Sequence, residues 1–349
     1  MVLGLALPLL GLASWLGLED APLKLTKTVD SAVVVIRVPG GGGSGFLAFL
    51  DGKKYIVTNQ HVLMGAPAPD VHIFFNDGTE AHPTKPEIVG DLDLARIEIA
   101  TDREPLKCAA GNPALGTHVL AVGNSLDAGV ITAGAGTIRG VGDTEIEVDC
   151  DFVPGNSGGP IVDPSNSALA VATYIRFGEK DAATAGTRYE KSRRFAVRVH
   201  DGMAWTPITQ WPAYAAVGAK IHEAQRLSEE VAIAAQAIDT NTDLALFKPK
   251  TPKVISALAD FDRLQAQFNK QSGQRLTEQR ARSNNTALAA TYRSAFQKLR
   301  DACSSSAKEL EAYPIPKPWG WLDKQRKTTV EQLETIQTLL EAELKKIPS

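Results

Sequence analysis

Cysteine is scarce in this chain: Cys108, Cys150 and Cys303 are the only three among 349 residues, and they lie far apart. That spacing excludes a disulfide framework and a CxxC zinc site, and leaves room for one bridge at most. Charge of one sign is not concentrated either. The 37 basic and 40 acidic side chains give a formal net charge of −3 without any block of like charge, so there is no electrostatic footprint for nucleic acid. HExxH and P-loop lysine motifs are missing, and no cofactor or metal is implied. Gly40, Gly42 and Gly45 satisfy GxGxxG, but the next residues read "FLAFLDGKKYIVT", a strand hairpin where dinucleotide binding needs a helix.

Basic residues are also missing before Lys24. The opening "MVLGLALPLLGLASWLGLEDA" is apolar from Val2 to Leu18 apart from Ser14, yet lacks the charged n-region of a signal peptide. Its length sits at the lower limit for a membrane span, and Pro8 argues against a long packed helix. We read residues 1–27 as a secretion signal or short anchor, which implies a secreted, periplasmic or cell-envelope protein. Membrane association follows only if the segment is an uncleaved anchor. The alternative is a buried N-terminal segment of the folded domain.

What is present is ordinary in bulk and divided in texture. Hydrophobic residues make up 44% and charged residues 22%, the proportions of a globular protein large enough for two domains. Over 28–205 the apolar residues come in short runs broken by glycine. They include "AVVVIRV" (32–38), "KYIVT" (54–58), "VHIFF" (71–75), "ARIEIA" (95–100), "THVLAVG" (117–123), "EIEVD" (145–149), "ALAVATYI" (168–175) and "RFAVRV" (194–199). Many short strands with turns between them predict an all-β barrel or sandwich. Asp51-Gly52 between two such runs predicts a tight hairpin.

Over 206–349 the period changes to that of helices. The stretches 221–238, 254–271, 284–303 and 328–347 carry apolar residues at three- and four-residue steps, separated by the Pro-rich "FKPKTPK" (247–253) and "YPIPKPWGW" (313–321). Ile255, Leu258, Phe261, Leu264 and Phe268 would share one stripe, and Leu333, Ile336 and Leu340 another. Trp205, Trp211, Trp319 and Trp321 are expected on a docking surface of this helical bundle or hairpin. That surface would serve self-association or present partners to the other domain. The alternative is a passive appendage.

The stretch "DFVPGNSGGPIV" (151–162) crowds small residues around Ser157. It reads either as a surface turn or as backbone that must approach a ligand closely, with Ser157 as a nucleophile. A reactive serine needs a base and an orienting acid. His61 follows the apolar run in "YIVTNQHVL", and Asp93 opens another in "GDLDLARIEI". The order His, Asp, Ser is that of chymotrypsin-type enzymes and differs from subtilisins and α/β-hydrolases.

With "TNQHV", "DLA" and "GNSGGP" in that order, the region 28–205 resembles the trypsin-like serine peptidases of the bacterial HtrA/Deg-like branch. "GGGSGFLAFLDGKKYIVTNQHVL", "LAVGNSLDAGVITAGAGTIRGV" and "RRFAVRV" extend the resemblance. It implies a chymotrypsin-like double β-barrel. Ser157 would be the nucleophile, His61 the general base and then acid, and Asp93 the residue that holds the imidazole. Asp91 is a competitor for the last role, but only Asp93 precedes the "LA" of the motif. The backbone N–H groups of Gly155 and Ser157 would form the oxyanion hole. Asn156 is uncharged, so a newly cut N-terminal amine has no acid to pair with, and no zymogen cleavage of that kind is implied.

Asp151 would either floor a pocket for basic P1 residues or be a solvated loop acid. Thr173, Tyr174 and Ile175 would line the substrate backbone, with Ile175 narrowing the pocket toward small or medium apolar side chains. The PDZ domains usual in that branch are not recognisable in 206–349, so its caging behaviour is not implied. The expected activity is serine endopeptidase action on protein or peptide substrates, with no cofactor. The alternative is a catalytically idle scaffold or binding protein whose helical half mediates interactions.

Overall fold

The computed structural model describes residues 23–177, 192–240, 247–259, 263 and 286–347. The N-terminal apolar segment falls mostly outside them, as do Phe261, Leu264 and Phe268. Contacts gather the chain into two compact units. The first takes in Met1–Val62, Val71–Pro86 and Leu94–Met203; the second takes in Leu63–Asp70, Glu87–Asp93 and Ala204–Ser349.

The first unit is the β-rich one. A short helix α1 (Lys27–Ala32), capped by Thr26 whose side chain accepts from Val29 N, leads into β1 (Val33–Val38), β2 (Gly41–Leu50) and β3 (Lys53–Thr58). β2 and β3 form the expected hairpin, with Leu50 opposite Lys53. Asp51 and Gly52 between them both have positive φ, 48° and 80°, as a two-residue turn that follows the strand twist requires. After β3 come the one-turn helix α2 (Gln60–Leu63), β4 (His72–Phe75), β5 (Glu80–Ala81), β6 (Pro86–Val89), β7 (Ala95–Glu98) and β8 (Leu106–Lys107). Within the first unit the sheet order is β7-β3-β2-β1-β4-β5, with β8 pairing parallel to β2. Asp51 also fastens this turn: it accepts from Gly202 N at 2.9 Å and from the buried Arg96 at 2.6 Å, whose guanidinium lies over the Tyr55 ring.

β9 (His118–Gly123), β10 (Thr132–Val141), β11 (Glu145–Val148), β12 (Pro160–Val162), β13 (Ala168–Phe177) and β14 (Ser192–Arg198) close into a six-stranded barrel in the order β10-β11-β14-β13-β12-β9. Its interior is packed by Val119, Ile138, Ile146, Val148, Phe152 and Ile161, each 3% exposed or less.

The second unit holds β15 (Trp205–Pro207), antiparallel to β6 through Trp205↔Val89 and Pro207↔Glu87, and the long helices α3 (Trp211–Thr240), α4 (Thr286–Glu311) and α5 (Gly320–Lys346). Pro212 in the first turn of α3 costs no hydrogen bond there, and Lys345 and Lys346 sit in the last turn of α5, where the helix dipole favours cations. Tyr214, Tyr292, Phe296, Leu322 and Leu333 are fully buried between the helices.

Two expectations are corrected here. In the helical residues 252–259 the buried face is Val254, Ala257 and Leu258, whereas Ile255 is 48% exposed, so the stripe is rotated by one position. Three of the four tryptophans are not on a surface, and Trp205 is half-buried. Trp211, Trp319 and Trp321 are buried; Trp211 donates to Ala66 O at 3.0 Å, and Trp319 meets Tyr214 edge-on at 5.3 Å. They are core residues of this unit, because segments 63–70 and 87–93 supply it with backbone for them to cover. All three cysteines are free thiols.

Candidate active site

Ser157 lies in the turn between Phe152 and β12, and its backbone is held by its neighbours on every side. Four consecutive carbonyls are engaged: Pro154 O accepts from Leu126 N (2.7 Å), Gly155 O from Ser44 Oγ (2.7 Å), Asn156 O from Gly159 N (2.9 Å) and Ser157 O from Ser44 N (2.7 Å). Gly155 and Gly158 have φ of +96° and +89°. At Gly158 a Cβ would run into Ser44 O and Thr58 Oγ1, so only glycine fits both the conformation and the space.

The uncharged Asn156 is spent inside this turn. Buried, it accepts at Oδ1 from Val153 N (3.1 Å) and Ser125 Oγ (2.9 Å). Ser157 Oγ donates a long 3.5 Å hydrogen bond to Thr173 O.

His61 belongs to α2, directly after β3, and is partly exposed between the buried Gln60 and Val62. A Cβ added to Gly43 would lie 2.8 Å from both Ser157 O and Val62 Cγ2. The serine turn and the residue following His61 therefore meet over that bare position of β2. Asn59, two residues before His61, donates to Thr173 Oγ1 at 3.2 Å, which ties the same segment to β13.

Asp93 is 9% exposed and ends the segment 87–93 of the second unit. There the Tyr214 hydroxyl is pushed well above its ordinary pKa, first by complete burial and then by the charge of Asp93. Asp91 is exposed, beside Gly320 at the start of α5. Asp149 is committed elsewhere: it accepts from Thr137 N and Arg139 Nε, both at 2.5 Å. Burial pushes its pKa up, but these bonds outweigh that and hold it low.

The specificity candidates separate. Thr173 is buried at the bulge between β13 and β14; its hydroxyl donates to Val171 O and accepts from Val197 N. Tyr174 stacks on Phe195 at 5.0 Å and donates to Glu145 at 3.0 Å; burial, then Glu145, pushes its phenol up to about 12. Ile175 packs on the barrel core. Among the described residues β12 pairs with β13 only over Ala168–Val171, which leaves 173–177 paired to β14 on one side. The Asp151 side chain is 90% exposed and faces Arg194 at 3.2 Å.

Sequence reasoning passed over Ser44, Asn124 and Leu126, which together hold the serine turn. The signal for Ser44 was the lone polar side chain inside the glycine run of "GGGSGF".

Residues 43–171 match the trypsin-like peptidase domain family. The β-rich part of this chain is thus similar to trypsin-like peptidase domains. His61, Asp93 and Ser157 all fall within the matched range. Protease Do-like 1 of Arabidopsis thaliana chloroplasts is 32% identical over 157 residues, 40% of this chain and 35% of that protein. A probable periplasmic DegP-like serine endoprotease of Chlamydia pneumoniae is 32% identical over 146 residues, 39% of this chain and 29% of that protein. The chain thus spans about a third of the length of these relatives. Among solved structures, the serine endoprotease of Yersinia pestis is 26% identical at a TM-score of 0.40, over 51% of this chain and 64% of that one. The matched peptidase domain ends at Val171, within β13, so the helices of the second unit lie outside it.

Proposed function

We propose that this protein is a serine endopeptidase in which Ser157 attacks the scissile carbonyl. His61 takes the serine proton as general base and later delivers it to the leaving amine. Asp93 holds the imidazole in the right tautomer and stabilises the imidazolium. The acyl-enzyme is then hydrolysed by water that His61 deprotonates in turn.

The observation that carries this reading is the fixed serine turn. In a trans peptide the C=O and N–H point in opposite directions. With Pro154 O held by Leu126 N and Asn156 O held by Gly159 N, the N–H groups of Gly155 and Ser157 are turned away from those partners. Donors so oriented before substrate arrives support the reading of an oxyanion-binding turn. The one-sided 173–177 stretch of β13 suits an extended peptide added as a further strand. Small or medium apolar P1 residues are favoured over basic ones, since Asp151 is solvated and paired with Arg194. A secreted, periplasmic or envelope setting accords with the relatives named periplasmic.

The test is labelling by a fluorophosphonate probe together with cleavage of β-casein. Wild type should label and cleave, and Ser157→Ala should do neither, with kcat down by about 10⁴-fold or more. Equal turnover by the two proteins removes the hydrolase reading and leaves a binding or scaffold role.

A further inference from the structure

We infer that Ser44 is a positioning residue for the oxyanion-binding turn: its buried hydroxyl sets the orientation of the Gly155 peptide and registers the 124–129 loop against it. The inference rests on Ser157 being the nucleophile. Ser44 stands in β2 opposite Val35 and is fully buried.

Its hydrogen-bond directions are forced. A hydroxyl has one proton to give. Asn124 N–H can only donate, so Ser44 Oγ accepts from it at 2.8 Å. Gly155 O can only accept, so the single serine proton goes there, at 2.7 Å. The main chain of the same residue works on the same turn, Ser44 N donating to Ser157 O and Ser44 O accepting from Thr58 Oγ1, both at 2.7 Å. One buried residue thus holds the carbonyls on both sides of Asn156.

The hydroxyl matters because of what it restrains. Gly155 has φ +96° and no side chain, so its flanking peptides rotate more freely than those of any other residue type. The peptide before it is held by Leu126 N, and Leu126 belongs to the loop whose first residue, Asn124, is tied to Ser44 Oγ. Removing the hydroxyl frees Gly155 O and Asn124 N together. The peptide after Gly155 then loses its fastening directly, the peptide before it loses the Asn124 tie behind Leu126, and the Gly155 N–H between them loses its fixed aim. Ser157 Oγ and its contact to Thr173 O do not involve the Ser44 hydroxyl.

The experiment compares wild type, Ser44→Ala and Ser44→Cys with a fluorogenic Ala-Ala-Val anilide and the matching peptide aldehyde, whose hemiacetal oxygen mimics the oxyanion. Ser44→Ala should lower kcat by about 10- to 100-fold, somewhat less than deletion of an oxyanion donor, while KM stays within about threefold. The aldehyde inhibition constant should rise in parallel with the loss of kcat. Ser44→Cys keeps the shape with a weak donor and should fall between the two; it carries the test if Ser44→Ala does not fold. A variant that is only less stable would lose active molecules, counted by fluorophosphonate titration, but keep the wild-type inhibition constant. Wild-type kcat per active molecule, or an unchanged aldehyde constant, overturns the inference while leaving Ser157 as nucleophile. If wild type itself neither labels nor turns over, the catalytic reading and this inference fall together.

Discussion

Replacing Gly158 with alanine should be among the most damaging single-methyl additions in the β-rich unit, and its cost can be separated into parts. Gly158 has φ +89°, and an alanine forced into that region loses about 1–2 kcal/mol from the backbone alone. The new methyl would also run into Ser44 O and Thr58 Oγ1. One obstacle is main chain and the other a fully buried side chain, so neither can swing aside, and overpacking of this kind costs about 1–3 kcal/mol. Pushing them apart also breaks the 2.7 Å bond from Thr58 Oγ1 to Ser44 O, worth about 1 kcal/mol. The sum is about 3–6 kcal/mol. Gly52 is the control, because its φ is +80° and a Cβ there meets nothing within 4 Å. Gly52→Ala should therefore lose only the backbone share, about 1–2 kcal/mol. Urea unfolding of both variants, followed by fluorescence and circular dichroism, measures the difference. Near-equal losses would show that the turn yields, and would refute the argument that close approach dictates the glycine.

Three further outcomes follow from other parts of the molecule. Asp51 is held below its ordinary pKa of 3.8, first by the Gly202 N–H and then by Arg96, so its stabilising effect is present above that value and lost as pH falls through the lower folded value. Asp51→Asn should thus destabilise at pH 7 by about 1–3 kcal/mol, and thermal melts of variant and wild type should converge as pH falls well below 3.8. Burial pushes the thiols of Cys150 and Cys303 up to about 12, so iodoacetamide at pH 8 should modify neither in the native protein and both in urea, as read by mass spectrometry. Trp211→Phe removes the donor to Ala66 O from a buried site and should cost about 1–3 kcal/mol by denaturant titration.

Much of this was legible beforehand because the strands advertise themselves locally. Runs such as 54–58, 117–123 and 168–175 became strands within a residue or two, and Asp51-Gly52 turned where its type requires. What was missed is non-local. β10 is half glycine and small residues, so it carries no hydrophobic period, yet Thr132–Thr137 pair with β9 and Ile138–Val141 with β11. Ser44 reads as filler until Gly155 and Asn124 are seen to converge on it. The spacing of Asp151 from Ser157 allowed either a pocket floor or a solvated loop acid, because spacing says nothing of which way a loop faces; its side chain is 90% exposed. The tryptophans suggested a surface because they cluster at the start of the helical half and in its Pro-rich break. Their true cover comes from segments 63–70 and 87–93, more than a hundred residues earlier.

That last arrangement has a temporal side. Segments 63–70 and 87–93 are made early, but the unit they belong to is not complete until α5 has been synthesised at residues 320–346. On a ribosome adding about 5–20 residues per second, these stretches wait some ten to fifty seconds for their partners. During that wait Ala66 O and Gly90 O have neither Trp211 nor Trp321 N to accept from. Asp93, at the end of the second segment, waits with them. The acid of the triad proposed above would in this way be among the last parts of the chain to settle, so that the order of synthesis itself would set when the proposed site is complete.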